Sequence, residues 1–174
     1  VGGVSEDHSH EQFFWDDATV DRLWAVARRY RKPLFLCCPS LAYRAEQERH
    51  DYVLLDRDTR FKFLNGFRRF SLTQPFILPR AFDYDAIFLD PPFANVSPEA
   101  LADCVRLMAP TTEHQRVPLF CAFPVDRGPE LQAAFAASDG PKLVPKPRHL
   151  TYRSTVPAAT QMRIVLFGPN GVGC

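Results

Sequence analysis

The stretch DAIFLDPPF, residues 85–93, places four apolar residues directly before an acid and two prolines. An unbroken apolar run of this kind is typical of a strand that is buried on both faces of a parallel sheet. Pro91 and Pro92 end the strand, because proline has no N–H group to donate to a sheet. Asp90 is therefore expected at the carboxyl end of a buried strand, where ligands bind in open α/β sheets.

Similar apolar runs alternate with helix signals on both sides of this strand. We expect strands over residues 33–38, 52–56, 85–90, 118–123, 142–145 and 161–167, and a further short strand within 70–78. Helices are expected over about 18–30, 40–49, 98–108 and 128–137. The alternation predicts a Rossmann-like α/β fold, with a mostly parallel seven-stranded sheet and helices on both faces. The last two strands have no helix between them, so they are expected to form a C-terminal antiparallel hairpin.

Length and composition indicate the class of protein. The 174 residues fit one domain, and a hydrophobic fraction of 46% is enough for a core. Residues 1–10 are polar and glycine-bearing, so we expect a flexible N-terminal tail there and a single domain over 11–174. No apolar run approaches the length that crosses a bilayer, which predicts a cytoplasmic protein without a membrane partner.

Charge and cysteine content argue against several kinds of partner and site. The formal net charge of +1 gives no overall attraction to nucleic acid, so an anionic partner needs a local basic patch. Five cysteines, an odd number without a CxxC pair, argue against both a disulfide framework and a zinc site. We therefore predict a site that holds no metal.

The residues after the strand at 85–90 suit the handling of an amino group. The Asp90 carboxylate and a proline carbonyl can each accept one N–H of an amine, which leaves the nitrogen lone pair free. Pro91 and Pro92 hold that carbonyl rigidly, and Phe93 can pack on a planar ring or an aliphatic stem. These four residues are our candidates for catalysis of amino-methyl transfer. The alternative is a strand-ending turn in which Asp90 is only a turn former.

Asp56 is the first candidate for binding a cofactor. It ends the second predicted strand, where an acid in dinucleotide-type folds binds ribose hydroxyls. The alternative is a loop acid paired with Arg57 or Arg60. The first strand ends in Cys37-Cys38-Pro39-Ser40, so the usual glycine loop is absent. Either Pro39 and Ser40 form a different turn near the methionine end of a cofactor, or the cofactor site is degenerate.

An aromatic cluster, Gln12-Phe13-Phe14-Trp15, precedes the first predicted helix. It could fold over the carboxyl edge of the sheet and contact a ligand there. It could equally be a hydrophobic staple or a cover for the core. Both interpretations remain open from the sequence.

Taken together, these motifs resemble the eukaryotic family of elongation factor 1-alpha lysine methyltransferases, earlier named as N6-adenine-specific DNA methyltransferases. The resemblance runs from about residue 12 to residue 167. QFFWDDATVDRLWAVA is similar to the family's Q-F-W-Y-S start, and Pro39-Ser40 aligns with its Pro-Ser after the first strand. VLLDRDTRF (53–61) is similar to V-L-L-E-Y-D-x-R-F, and DAIFLDPPF matches D-x-V-x-A-D-P-P-[YF]. The stretch SLTQPF (71–76) lacks the acid of the family's Y-D-x-N pattern.

The resemblance implies S-adenosylmethionine as cofactor and catalysis by Asp90, Pro91, Pro92 and Phe93. It implies cofactor binding by Gln12, Phe13, Trp15, Pro39, Ser40 and Asp56. The implied activity is methylation of a protein lysine, with elongation factor 1-alpha as a possible protein substrate. Two alternatives stay open: N6-adenine methylation of nucleic acid, which uses the same Asp-Pro-Pro-aromatic chemistry, and a catalytically degenerate binding module. A base-flipping enzyme needs a broad basic face, and this neutral chain offers basic stretches only at 57–69 and 142–153, so we rank nucleic acid behind protein as the partner.

Overall fold

The computed structural model describes residues 1–154, 161 and 163–173. Within them the strands are Pro33–Leu36 (β1), Val53–Asp56 (β2), Phe67–Arg69 (β3), Ala86–Leu89 (β4), Leu119–Pro124 (β5), Val144–His149 (β6) and Ile164–Gly168 (β7). The α-helices are Asp17–Ala27 (α1), Pro39–Gln47 (α2), Pro98–Met108 (α3) and Gly128–Ala137 (α4). Asp16 caps α1 and Ser97 caps α3, each by accepting a backbone N–H three residues on.

All seven strands join one sheet in the order β3-β2-β1-β4-β5-β7-β6. The first five pair in parallel, whereas β7 runs antiparallel to both β5 and β6. The predicted α/β fold, with its mostly parallel seven-stranded sheet and C-terminal antiparallel pair, is therefore confirmed. The strand order reverses between β1 and β4, and ligands bind at such a reversal because the connections leave a crevice there.

Alternate residues along the central strands pack on opposite faces of the sheet. Leu34 and Leu36 join a core on one side together with Leu101 of α3 and Leu131 of α4. Phe35 joins a second core on the other side, with side chains from α1 and α2. In this second core the rings of Phe88 and Phe120 stack with centroids 4.5 Å apart. Helices thus cover both faces, which is why the strands are apolar throughout.

The third strand lies outside the stretch in which we expected it. It is Phe67–Arg69, which pairs with β2, whereas residues 70–78 contain no strand. The chain turns at Ser71, whose carbonyl accepts the Gln74 N–H, and Pro75 follows without an N–H group. A strand with two arginines forms at 67–69 because it lies at the sheet edge, where Arg68 and Arg69 reach solvent while Phe67 packs against the core.

Other boundaries differ from the predictions in smaller ways. The strand predicted at 142–145 starts two residues later and continues to His149. Prolines are tolerated in it because β6 is the other edge of the sheet. Helix α1 ends at Ala27 and not at residue 30. Part of the predicted final strand, residue 162, lies outside the described residues.

The N-terminal segment makes specific contacts in the structure. His8–His10 forms a short 3-10 helix that Asp7 caps, and Glu6 accepts the backbone N–H of Phe14 at 2.7 Å. The flexibility of residues 1–10 stays a prediction. Among the described residues, no helix is long and apolar enough to span a membrane, and no group of His, Cys, Asp or Glu side chains could hold a metal ion.

Candidate functional site

A cleft of about 460 Å³ opens where β1, β2 and β4 end. Because these strands are parallel neighbours, the residues that follow them meet at one edge of the sheet. Eight of the ten predicted site residues line the cleft: Gln12, Phe13, Pro39, Asp56, Asp90, Pro91, Pro92 and Phe93. Trp15 and Ser40 are not among the described residues that line it, and both are buried. The functional roles of all ten stay predictions.

Asp90 presents an unpaired carboxyl group to this cleft. Its backbone N–H donates to the carbonyl of Leu36 at 3.1 Å, which fixes the residue between β4 and β1. In the described part of the chain, no group hydrogen-bonds to its carboxylate. Burial raises the pKa of Asp90 well above its usual value, and the negative charge of Asp56 adds to the rise. The carboxyl is therefore available to a ligand and has an increased affinity for a proton.

The carbonyl groups of the loop after Asp90 differ in availability. The Pro92 carbonyl accepts the N–H groups of Asn95 and Val96, at 2.9 and 3.1 Å. The Phe93 carbonyl accepts a hydrogen bond from the Arg127 guanidinium at 2.9 Å. Within the described residues no donor reaches the Pro91 carbonyl. One carbonyl oxygen next to Asp90 thus remains free, as an amine-binding loop requires.

Asp56 is buried at the end of β2, with 7% of its surface exposed. Its carboxylate accepts the backbone N–H of Asp58 at 2.8 Å. Burial raises its pKa to about 6, and the charge of Asp58 adds to the rise. Among the described residues Asp56 forms no ion pair, because Arg60 pairs with Asp58 instead. The loop-acid alternative, in which Arg57 or Arg60 pairs with Asp56, has no support in this geometry.

The segment before α1 crosses the cleft and is held on both sides. The Gln12 side chain donates to the Asp58 carboxylate at 3.0 Å and accepts from the Arg60 guanidinium at 3.1 Å. On the other side, Asn95 donates to the Glu11 carboxylate at 2.9 Å. The segment therefore bridges the loops that follow β2 and β4.

The aromatic cluster at 12–15 lies partly in the cleft and partly in the core. Phe13 lies in the cleft, where its ring stacks on His8 with centroids 4.8 Å apart. Phe14 and Trp15 are buried to at least 97% and belong to the core beneath. Gln12, Phe13 and Phe14 thus line the cleft, whereas Trp15 lies only in the core.

The end of β1 turns without a glycine. Cys37 adopts a left-handed backbone conformation with φ 58°, and its N–H donates to the Leu55 carbonyl at 2.9 Å. Helix α2 begins two residues later at Pro39, and no side chain caps it. Its first N–H groups are therefore available to a carboxylate near Pro39, which lines the cleft.

These features fit the polar parts of S-adenosylmethionine. The buried Asp56 carboxylate suits ribose hydroxyls, and the uncapped start of α2 suits the carboxylate of the methionine end. Asp90 faces the same cleft and is the nearest candidate for the reacting centre. The donors and acceptors thus match the cofactor that the sequence resemblance implies.

Several residues of the cleft were not predicted from the sequence. Tyr152 is the most important of them, since it belongs to the segment after β6 and yet lines the cleft beside Asp90. Asn95 and Cys37 also line it. Their positions depend on tertiary contacts between distant segments, for which the local sequence gives no signal.

A second depression of about 500 Å³ lies at the opposite edge of the sheet, near the starts of β2 and β3. Its lining includes Lys32, Arg49 and Arg68, and none of the predicted site residues. Every predicted site residue that lines either of these two cavities thus lies in the cleft at the carboxyl edge.

Comparisons with known proteins bear on this site. Residues 6–139 match the model of a family described as "Probable N6-adenine methyltransferase". One similar solved structure, the PH0226 protein of Pyrococcus horikoshii OT3, is 10% identical with a TM-score of 0.46, over 87% of this chain and 89% of that one. Another, from Thermoplasma acidophilum and described as a "putative methyltransferase", is 14% identical with a TM-score of 0.44, over 83% and 70%. A search of curated proteins found no significant match.

Proposed function

The chain belongs to the family of probable N6-adenine methyltransferases, and we propose that it methylates the exocyclic amino group of adenine in a nucleic acid. Membership makes it an S-adenosylmethionine-dependent methyltransferase. The observation that carries the proposal is the pair of unused acceptors at the end of β4. These are the Asp90 carboxylate and the Pro91 carbonyl, which lie in the same cleft as the Phe93 ring.

The two acceptors can orient an amino group for attack. One N–H donates to Asp90 and the other to Pro91, so the nitrogen lone pair points away from both. When bound, S-adenosylmethionine supplies an electrophilic methyl group on its sulfonium. As the nitrogen forms its bond to this methyl carbon, the methyl–sulfur bond would break and a neutral thioether would leave. The nitrogen would then carry the positive charge and must release a proton. The Asp90 carboxylate can hold that proton, because burial raises its pKa.

An exocyclic amine suits this site because it is uncharged at neutral pH. It therefore needs no deprotonation before it attacks the methyl group. The walls beside Asp90 are aromatic, with Phe13, Phe93 and Tyr152 in the lining. Enzymes that modify a base in nucleic acid remove it from the stack and hold it against such side chains.

A second candidate is the methylation of a protein lysine, for which elongation factor 1-alpha is the substrate that the sequence resemblance suggests. The charge of the cleft favours it. Five carboxylates line the cleft against two guanidinium groups: Asp7, Glu11, Asp56, Asp58 and Asp90 against Arg57 and Arg60. Such a lining attracts a cationic side chain and repels phosphates. A lysine, with an unperturbed pKa of about 10.4, would first have to lose a proton in the cleft.

One experiment separates these functions. The protein is incubated with methyl-labelled S-adenosylmethionine and with either a single-stranded, adenine-containing oligonucleotide or a cell extract. The extract is treated beforehand with nuclease or with protease. We expect label in the oligonucleotide as N6-methyladenine, and label in the extract that nuclease removes. Label that only protease removes would establish the lysine candidate, and cofactor binding without transfer would indicate a degenerate module.

The matched control for this experiment is Asp90→Ala. The variant removes the acceptor but keeps the predicted cofactor contacts, so it should bind S-adenosylmethionine and transfer no label. Equal labelling by the variant would show that the transfer comes from a contaminating enzyme or that Asp90 is not required.

A further inference from the structure

Tyr152 is held in the cleft by backbone bonds on both of its sides. The residue before it, Thr151, accepts the Asp16 N–H through its carbonyl at 3.0 Å. The residue after it, Arg153, donates its N–H to the Phe14 carbonyl at 2.9 Å. These bonds form a short antiparallel bridge in which Trp15 lies opposite Tyr152. The segment after β6 is therefore fastened to the segment before α1.

Side chains reinforce this bridge. The Thr151 N–H donates to the Thr19 hydroxyl at 3.1 Å, and the two threonine hydroxyls lie 2.9 Å apart. The Thr151 hydroxyl also donates to the Asp16 carboxylate, which caps α1. Tyr152 thus has a defined backbone position, which a residue that recognises a substrate needs.

Tyr152 lines the same cleft as Asp90 and the loop that follows it. The ring meets Phe13 edge-on, with centroids 6.3 Å apart. Tyr152, Asp90 and Phe93 all belong to the lining. Burial raises the pKa of Tyr152, and the charge of Asp90 adds to the rise. The phenol therefore keeps its proton at physiological pH and remains a hydrogen-bond donor.

The two acceptors of the cleft can bind the amino group of a base, but they leave the neighbouring ring nitrogen without a partner. Asp90 and Pro91 match an amino group, and lysine and adenine both have one. In adenine the ring nitrogen N1, which is a hydrogen-bond acceptor, lies beside the amino group. A donor next to the two acceptors would complete the match to adenine. It would disfavour guanine, which carries an N–H at N1 and a carbonyl in place of the amino group.

We infer that Tyr152 is a substrate-recognition residue whose hydroxyl donates a hydrogen bond to N1 of the acceptor adenine. The inference rests on the proposed function, since a lysine side chain offers no such acceptor. The segment after β6 would then discriminate between bases, and this segment lies outside the family match over residues 6–139.

The test combines one protein change with one substrate change. Single-stranded oligonucleotides carry either adenine or 1-deazaadenine, in which N1 is replaced by C–H, at the target position. Wild type, Tyr152→Phe and the control Tyr43→Phe are compared. Tyr43 is half-buried on α2 and is not among the described lining residues of the cleft. Melting temperature and affinity for S-adenosylmethionine are measured for each protein, so that a loss of fold is detected.

We expect wild type and Tyr43→Phe to lose about 10- to 100-fold in kcat/KM on 1-deazaadenine, since a buried donor is left unpaired. Tyr152→Phe should lose about 10-fold on adenine. Its further loss on 1-deazaadenine should be much smaller than that of wild type, because the bond is already absent. For each protein, the loss is the ratio of kcat/KM on adenine to kcat/KM on 1-deazaadenine. Comparing this loss between Tyr152→Phe and wild type cancels any change in the reactivity of the amine itself.

Two results would overturn the inference. In the first, Tyr152→Phe loses as much on 1-deazaadenine as wild type does, which would show that another group contacts N1. In the second, wild type methylates adenine and 1-deazaadenine equally well. This measurement needs only wild type, so it is decisive even if Tyr152→Phe fails to fold. A wild-type protein that methylates no adenine at all refutes the proposed function, and this outcome is distinct from both.

Discussion

The Arg127 guanidinium donates a hydrogen bond of 2.9 Å to the backbone carbonyl of Phe93 and so joins the start of α4 to the loop that follows Asp90. The same guanidinium lies over the ring of Phe123, 5.1 Å from its centroid. The Phe93 ring meets Phe123 edge-on, at 6.2 Å. A side chain 34 residues away in sequence thus fixes the loop that follows Asp90.

We expect Arg127→Met to slow methyl transfer while cofactor affinity stays close to wild type. Methionine keeps an apolar stem over Phe123 but cannot hold the Phe93 carbonyl. A displacement of about 1 Å at a reacting group can lower a rate about 100-fold, and the loop has no other described side-chain bond at that carbonyl. A discontinuous assay would measure the turnover of methyl transfer, and calorimetry would measure the affinity for the cofactor.

The matched control is Arg106→Met on α3, because Arg106 pairs only with the exposed Asp103 in the described structure. It should leave turnover unchanged. Equal turnover for both variants would mean that the Phe93 carbonyl needs no anchor.

Substitution of Asp90 should affect catalysis and leave the fold intact. Asp90→Asn keeps one acceptor oxygen, so turnover should fall without vanishing, and Asp90→Ala should cost more. Stability should be unchanged or higher, because both changes remove a carboxyl whose charged form burial disfavours. Turnover, melting temperature and cofactor affinity are measured for the three proteins. If Asp90 is only a turn former, both variants should instead melt earlier and keep wild-type turnover per folded molecule.

Much of the fold could be predicted from the sequence because apolar runs and proline stops are local signals. Pro91 and Pro92 mark the end of β4, and the capping of α3 by Ser97 is as the sequence indicates. The third strand could not be located in this way. Two of its three residues, Arg68 and Arg69, are basic, and they are accommodated because the sheet edge leaves their side chains exposed.

The candidate site was predictable where its residues directly follow strands. Asp56 and Asp90 line one cleft because β2 and β4 both run parallel to β1, which lies between them, and all three end at one edge of the sheet. Tyr152 could not be predicted, since its place depends on the bridge to Trp15, over more than a hundred residues of sequence. The bond between Gln12 and Asp58 similarly joins segments 46 residues apart.

Gln12→Ala should weaken cofactor binding and leave the fold intact. Alanine removes the bonds to Asp58 and Arg60, which hold the segment over the cleft. We expect a loss of about 1 kcal/mol in binding free energy, or roughly fivefold in Kd, by calorimetry with S-adenosylmethionine. Gln132→Ala is the control, because the Gln132 side chain also joins two segments: it donates a hydrogen bond of 2.8 Å to the Leu143 carbonyl, away from the cleft. The assignment of Gln12 to the cofactor site fails if the two variants bind equally well.

Asp56→Asn should stabilise the protein at neutral pH and weaken its cofactor binding. The pKa of Asp56 is raised from 3.8 to about 6 in the folded protein, so between these values the folded state holds more protons than the unfolded state. Wild-type stability should therefore fall as pH rises from about 4 to 6, by at most about 3 kcal/mol. The free energy of unfolding of the variant should not show this fall with pH. In urea titrations at each pH, it should match that of wild type near pH 4 and exceed it by about 1–3 kcal/mol at pH 7. Its affinity for S-adenosylmethionine should drop by about 1–3 kcal/mol if ribose hydroxyls bind this carboxylate. A buried structural acid would show the stability gain alone, so unchanged affinity would remove Asp56 from the cofactor site.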